Sequence, residues 1–188
     1  SYKYFQNTHK NFDPLNLYFE RLSNLKIFFK LIEKDLLFLL KQIVSSNYES
    51  TDNFNKRSLL KIVVDSLCMI KNEQGSNFAI KLSSSKIMSL KLFGLNTCIK
   101  YNHPESKTLY VNFYQEFKDN NLTLEKWFQI FSSHNNKFLN GVNIIKNLLK
   151  DRYFDYKNPN LVRAVLGNFQ NNNIELFHSK DESGYKLI

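Results

Sequence analysis

Residues 25–46 read Leu25-Lys-Ile-Phe-Phe-Lys-Leu-Ile-Glu-Lys-Asp-Leu-Leu-Phe-Leu-Leu-Lys-Gln-Ile-Val-Ser-Ser46. Ile27, Leu31, Leu39 and Ile43 recur at helical spacing, and Phe28, Phe29, Ile32 and Leu36 widen the stripe onto a second face. A helix that is apolar on more than one face is expected to pack between neighbours. The longest apolar run, Leu36 to Leu40, is bracketed by Asp35 and Lys41 and falls far short of the roughly 20 residues that cross a bilayer, so no membrane span is expected.

Working outward, the same period recurs between polar breaks. Asp13-Pro14 reads as a helix start, an N-cap side chain followed by Pro at the first helical position, and the pattern then predicts one helix over Leu15 to about Asn24 and a second over Leu25 to about Ser46. After the polar stretch Asn47–Asn55, the stripe Leu59, Ile62, Val63, Leu67 and Ile70 predicts a helix ending near Gly75. Phe78, Ile80 and Leu82 alternate like a strand, but Ser83 to Ser85 cut the run short and a short helix is preferred. Further helices are read from Ile87 to Ile99, closed by Tyr101-Asn-His-Pro104, and from Leu109, Tyr110, Phe113 and Phe117. Leu124–Phe131 and Val142–Leu149 give two more. Asn158-Pro159 repeats the cap-plus-proline start before Leu161, Val162, Val165, Leu166 and Phe169, and Ile174–His178 reads as a shorter turn.

Helices of this length with brief polar links predict an all-α fold of stacked helical hairpins, a HEAT-like α-solenoid, although no repeat of fixed length is visible. Five glycines and three prolines in 188 residues leave few tight turns for a strand-rich fold, and 43% apolar with 15% aromatic residues is the composition of a folded chain. Residues 1–188 are read as one helical-repeat domain, with 1–12 irregular.

The formal charge of +9 invites a nucleic-acid reading, but its distribution argues against one. Lys26, Lys30, Lys34 and Lys41 are interspersed with Glu33 and Asp35, and Arg21, Arg57, Arg152 and Arg163 are the only arginines, too few for bidentate phosphate or base recognition. A solvated lysine surface without specific nucleic-acid binding is expected. Cys68 and Cys98 sit in apolar helical patterns without a C-x-x-C or a His partner, so two buried thiols are expected rather than a disulfide or metal pair. That fits a reducing compartment such as the cytoplasm, and no signal peptide is read at Ser1. His9, His103, His134 and His178 are scattered, with no i,i+4 pair and no Glu between two of them, so no metal site is assigned.

Three blocks near the end of the chain carry a resemblance: Thr123-Leu-Glu-Lys-Trp-Phe128, Asn158-Pro-Asn-Leu-Val-Arg-Ala-Val-Leu-Gly-Asn-Phe169, and Phe177-His178 followed by Ser183-Gly-Tyr-Lys-Leu-Ile188. In this order and spacing they resemble the C-terminal helical domain of aminopeptidase N-type zinc metallopeptidases, the alanyl aminopeptidases of the gluzincin class, especially those of bacteria and protozoan parasites. Arg57-Ser-Leu-Leu-Lys61 and Tyr110-Val-Asn-Phe-Tyr-Gln-Glu-Phe117 match more loosely, and the similarity fades before about Asp13.

The resemblance implies a HEAT-like helical domain in a hydrolase that removes N-terminal amino acids from peptides. It also implies that zinc and the catalytic machinery belong to an upstream catalytic domain of the same protein, this segment being structural and access-shaping. The family's H-E-x-x-H motif and G-x-M-E-N loop occur nowhere in the sequence, so no catalytic, cofactor-binding or metal residue is carried over, and no cofactor is expected in this chain. Trp127, with Phe128 and Phe131 at helical spacing, is read as core. Arg163 is read as a structural ion-pairing or carbonyl-binding residue, and His178 as a structural hydrogen-bonding group. Gly184 is read as a close-packed turn. The family has Gly where this chain has Glu182, which departs from the pattern at that turn. Because the family's domain continues through further helices, the chain is expected to be cut at both ends. The rival expectation is a non-catalytic helical scaffold or protein-interaction module.

Overall fold

The computed structural model describes residues 14–50, 53–132 and 150–172. Among them eight helices and no strand are found. They are α1 (Pro14–Leu31), α2 (Glu33–Ser45), α3 (Phe54–Met69), α4 (Glu73–Ser83), α5 (Met88–Lys100), α6 (Ser106–Phe117), α7 (Asn121–Ser132) and α8 (Pro159–Asn172). The fold is all-α, as the periodicity predicts. Asp13, residues 133–149 with the predicted Val142–Leu149 helix, and the segment from Ile174 onward lie outside the described residues. The helices gather into two compact units, Ser1–Gly75 and Ser76–Ile188.

In the first unit α2 packs against α3, and α1 touches both. The first helical boundary differs from the sequence reading: α1 runs unbroken through Asn24 to Leu31, and the break falls at Ile32 (φ −99°, ψ 18°). That turn resets the helical phase, so residues before and after it do not share one stripe. The buried face of α2 is Leu36, Leu40 and Ile43, whereas Ile27 and Leu31, expected in the same stripe, are 62% and 80% exposed. On α3 the buried set is Leu60, Val63, Val64, Ser66, Leu67 and Cys68, and Leu59 and Ile62 are exposed where burial was expected.

Helix α3 also stops earlier than Gly75. Lys71 adopts the left-handed conformation (φ 59°); its N–H donates to Cys68 O (3.0 Å) and the Asn72 N–H to Leu67 O (2.9 Å), the paired closure of a Schellman end. Asn72 then ties the junction together. Its Nδ2 donates to Glu33 Oε1 (2.7 Å), and its Oδ1 accepts from Gly75 N (3.0 Å). Gly75 lies in the first turn of α4, where a Cβ would stand 2.4 Å from Leu67 Cβ.

In the second unit α7 packs most extensively on α8, and α5 touches both α6 and α7. A helix meeting the next and the next but one is the local contact pattern of a helical-repeat array. The core joins Leu95 and Ile99 of α5, Tyr110 and Phe113 of α6, Leu124, Trp127, Phe128 and Ile130 of α7, and Leu161, Ala164 and Val165 of α8. Trp127 and Phe128 are buried as expected; the Phe131 side chain is outside the described residues. Helix α5 ends as α3 does, with Asn102 left-handed (φ 55°), its N–H on Ile99 O (3.1 Å) and the His103 N–H on Cys98 O (2.8 Å). Cys68 and Cys98 are both buried.

Gly94 is where α5 crosses closest to α4. A Cβ there would meet Ser83 N at 2.3 Å, Ala79 O at 2.6 Å and Leu82 C at 2.7 Å, all backbone atoms that cannot rotate away. At an exposed helical position Gly→Ala stabilises by about 1 kcal/mol. Here overpacking dominates, and Gly94→Ala is expected to lower stability by about 1–3 kcal/mol in urea unfolding. An unchanged or raised midpoint would show that α4 and α5 are not in this contact.

Candidate functional site

Of the residues that carry the sequence resemblance, those described in the second unit lie on α6, α7 and α8. Tyr110 and Tyr114 are four apart on α6 and so share one face. Trp127 of α7 lies against that face, its ring stacked on Tyr110 (centroids 4.1 Å, interplanar angle 15°) and tilted against Tyr114 (4.8 Å). The indole N–H would be left unsatisfied in this apolar setting, and it donates to Tyr110 O at 2.9 Å. Phe128 extends the cluster edge-on to Trp127 (5.0 Å) and to Phe154 (5.2 Å).

The polar rim of this cluster comes from the segment before α8. Tyr114 OH donates to Asp151 Oδ2, and the other Asp151 oxygen accepts from Tyr153 N (2.9 Å). Arg152 lies over the Tyr153 ring (4.6 Å) and donates to its hydroxyl, while Lys118 Nζ is 5.4 Å from the same ring. Burial, then the Asp151 hydrogen bond and charge, push the Tyr114 phenol well above its ordinary value, and burial does the same for Tyr110. Tyr114 serves as a donor to Asp151, and Tyr110 serves as the ring on which Trp127 stacks.

At the start of α8, Asn158 Oδ1 accepts from Asn160 N (3.0 Å), Asn158 O accepts the first helical bond from Val162 N (3.2 Å), and Pro159 fills the first turn. This is the N-cap that the sequence predicts. Arg163 departs from expectation: it is exposed, and among the described residues no ion pair or carbonyl hydrogen bond holds it. It points away from the Leu161, Ala164 and Val165 face that meets the core. His103 serves the turn after α5, where its Nδ1 accepts from Glu105 N (3.2 Å). His9, His134, His178, Glu182, Gly184 and Tyr185 lie outside the described residues. No cluster of three His, Cys, Asp or Glu able to hold a metal ion occurs among the described residues, so these residues do not fit a zinc centre. No described helix is long and apolar enough to cross a membrane.

Sequence reasoning missed Asp151 as the partner of Tyr114. The i,i+4 spacing of Tyr110 and Tyr114 was a readable signal that both face one neighbour. Nothing local marks Asp151, which lies 37 residues further along the chain.

Comparison with known proteins agrees with the resemblance read from the blocks. A family model described as "Domain of unknown function (DUF3458_C) ARM repeats" matches residues 1–188, the whole chain. The chain is 25% identical over 152 residues to Aminopeptidase N of Escherichia coli, covering 78% of the chain and 17% of that protein. It is 31% identical over 80 residues to Aminopeptidase N of Haemophilus influenzae, covering 43% of the chain and 9% of that protein. The chain thus matches less than a fifth of the length of either relative.

The cap at Asn158 is open to a direct test. Asn158→Ala removes the acceptor for Asn160 N and is expected to cost about 1 kcal/mol in denaturant unfolding, with Asn158→Asp or Asn158→Ser close to the wild type. Equal midpoints for Asn158→Ala and the wild type would show that this end of α8 does not depend on the side chain.

Proposed function

The chain belongs to the ARM-repeat domain family described as DUF3458_C, and from that premise we propose that it is a structural, access-shaping part of the C-terminal domain of a zinc-dependent aminopeptidase. The proposed parent removes N-terminal amino acids from peptides. The observation that carries this reading is the 25% identity over 152 residues to Aminopeptidase N, which extends over 78% of the chain rather than resting on one motif. The physical character of the matching blocks supports the structural half of the proposal. Trp127, Leu161 and Val165 are buried, and Asn158 is spent on a helix cap.

In this reading zinc belongs to an upstream catalytic domain of the proposed parent, as the resemblance implies. The proposed contribution of the chain is a stiff helical surface against which that domain and the passage for peptides are arranged. Stacked helices suit such a role, since close-packed interiors deform little under load. A second reading, a helical interaction module with no peptidase attached, draws on the exposed apolar residues Ile27 and Leu31.

Metal analysis and an aminoacyl-fluorophore assay separate the two. The isolated chain is expected to hold no stoichiometric zinc and to show no turnover, while the proposed parent is expected to hydrolyse the substrate and to lose activity to a chelator. Turnover by the isolated chain would overturn the non-catalytic assignment, and a longer protein with neither zinc nor turnover would leave the interaction module as the reading.

A further inference from the structure

The first unit carries an open groove of about 460 Å³ between the end of α1 and the C-terminus of α3. Its apolar surface is Ile27, Leu31, Met69 and Ile70, and its rim is Lys26, Lys30 and Lys71. Ile27 and Leu31 are four apart on α1, and so are Lys26 and Lys30, which places an apolar row beside a cationic row along one helix. Lys71 enters from the other wall. Its backbone takes part in the two hydrogen bonds that close α3, so the third cation is carried on a capped turn.

Of the three rim lysines, Lys30 alone has an ion-pair partner among the described residues. Lys30 is paired with Glu33 (2.7 Å), whose other oxygen takes Asn72 Nδ2 (2.7 Å). Among the described residues no carboxylate lies within ion-pair distance of Lys26 or Lys71. The groove therefore offers apolar surface to a partner that brings negative charge on its flanks.

We propose that this groove docks an acidic amphipathic helix, its apolar residues seated on Ile27, Leu31, Met69 and Ile70 and its flanking carboxylates paired with Lys26 and Lys71. Two helices walling an apolar trough give the geometry that accepts the apolar face of a third. A small molecule fits less well, because ligand pockets bury roughly 70–90% of what they hold, whereas Leu31 leaves this wall 80% exposed. A second copy of the chain fits less well too, since a formal charge of +9 repels its like and the rim itself is cationic.

The test is fluorescence anisotropy on the full 188-residue chain, with a labelled peptide of about four helical turns. The probe carries Leu at i, i+3, i+4 and i+7 with Glu on both flanks. One control scrambles the Leu positions and a second replaces Glu by Lys. Saturable binding to the acidic probe is expected, weakening at least about tenfold in Leu31→Asp. In Lys26→Gln with Lys71→Gln a loss of about tenfold is expected, together with most of the salt dependence. These side chains lie at the surface, so circular dichroism and melting midpoints should match the wild type. The lysine pair keeps the test decisive if Leu31→Asp melts early.

Equal binding of the scrambled probe, unchanged binding by the lysine variant, or no saturable binding would each overturn the proposal. So would tighter binding to phosphatidylserine vesicles than to the peptide, or a dimer in sedimentation that Leu31→Asp dissolves.

Discussion

The hydrogen bond from the Trp127 indole to Tyr110 O, made beneath a stacked ring pair, is the constraint on which the second unit depends. An indole is a large apolar body with one donor that must be satisfied when buried. The bond fixes the rotation of α7 about its own axis relative to α6, and with it the face that α7 offers to α8. A neutral hydrogen bond contributes about 1 kcal/mol net, and an aromatic pair about 0.5–1.5 kcal/mol beyond area burial. Those terms are modest beside the burial of Leu124, Phe128, Leu161 and Val165, whose register they help select. Asp151 completes the arrangement by holding Tyr114 from the outside, so the segment before α8 is drawn onto the same aromatic face.

Helix ends do comparable work in positioning. Lys71 and Asn102 both take the left-handed conformation usual for glycine, and both close their helices with the same pair of backbone bonds. In the first unit that closure presents Lys71 beside Met69 and Ile70 and brings Asn72 to Glu33. In the second it turns the chain at His103, which is why that histidine caps a turn.

Much of this was legible in the sequence, and the gaps have physical causes. The all-α class, α5 to α7, the Asn158-Pro159 start of α8 and the buried state of Trp127, Cys68 and Cys98 follow from periodicity, cap chemistry and side-chain character. The α1/α2 boundary did not follow, because residues 25–46 are apolar on several faces and Glu33-Lys34-Asp35, which opens α2, reads equally well as the polar side of one continuous helix. Leu59 and Ile62 were misplaced for a related reason: with Leu60, Val63 and Val64 adjacent to them, two helical phases are almost equally apolar. The end of α3 was placed at the conspicuous Gly75, whereas Lys71 took the left-handed position and Gly75 was needed for its contact with Leu67. Arg163 was assigned a partner on the strength of its place in a matching block, and its exposure shows that membership of a block does not fix a contact.

The functional account follows from that division of labour. Among the described residues of the matching blocks, Trp127, Leu161 and Val165 are buried and Asn158 caps α8, the placement that a packing role requires. The most direct measurement uses Trp127, the single tryptophan of the chain. Acrylamide quenching of its emission should be several-fold weaker in the native chain than in urea. The quenching should rise in the same transition in which helical ellipticity is lost. Native quenching as efficient as that of the unfolded chain would put the indole at the surface, contradict the core assignment and return this block to the candidates for substrate contact.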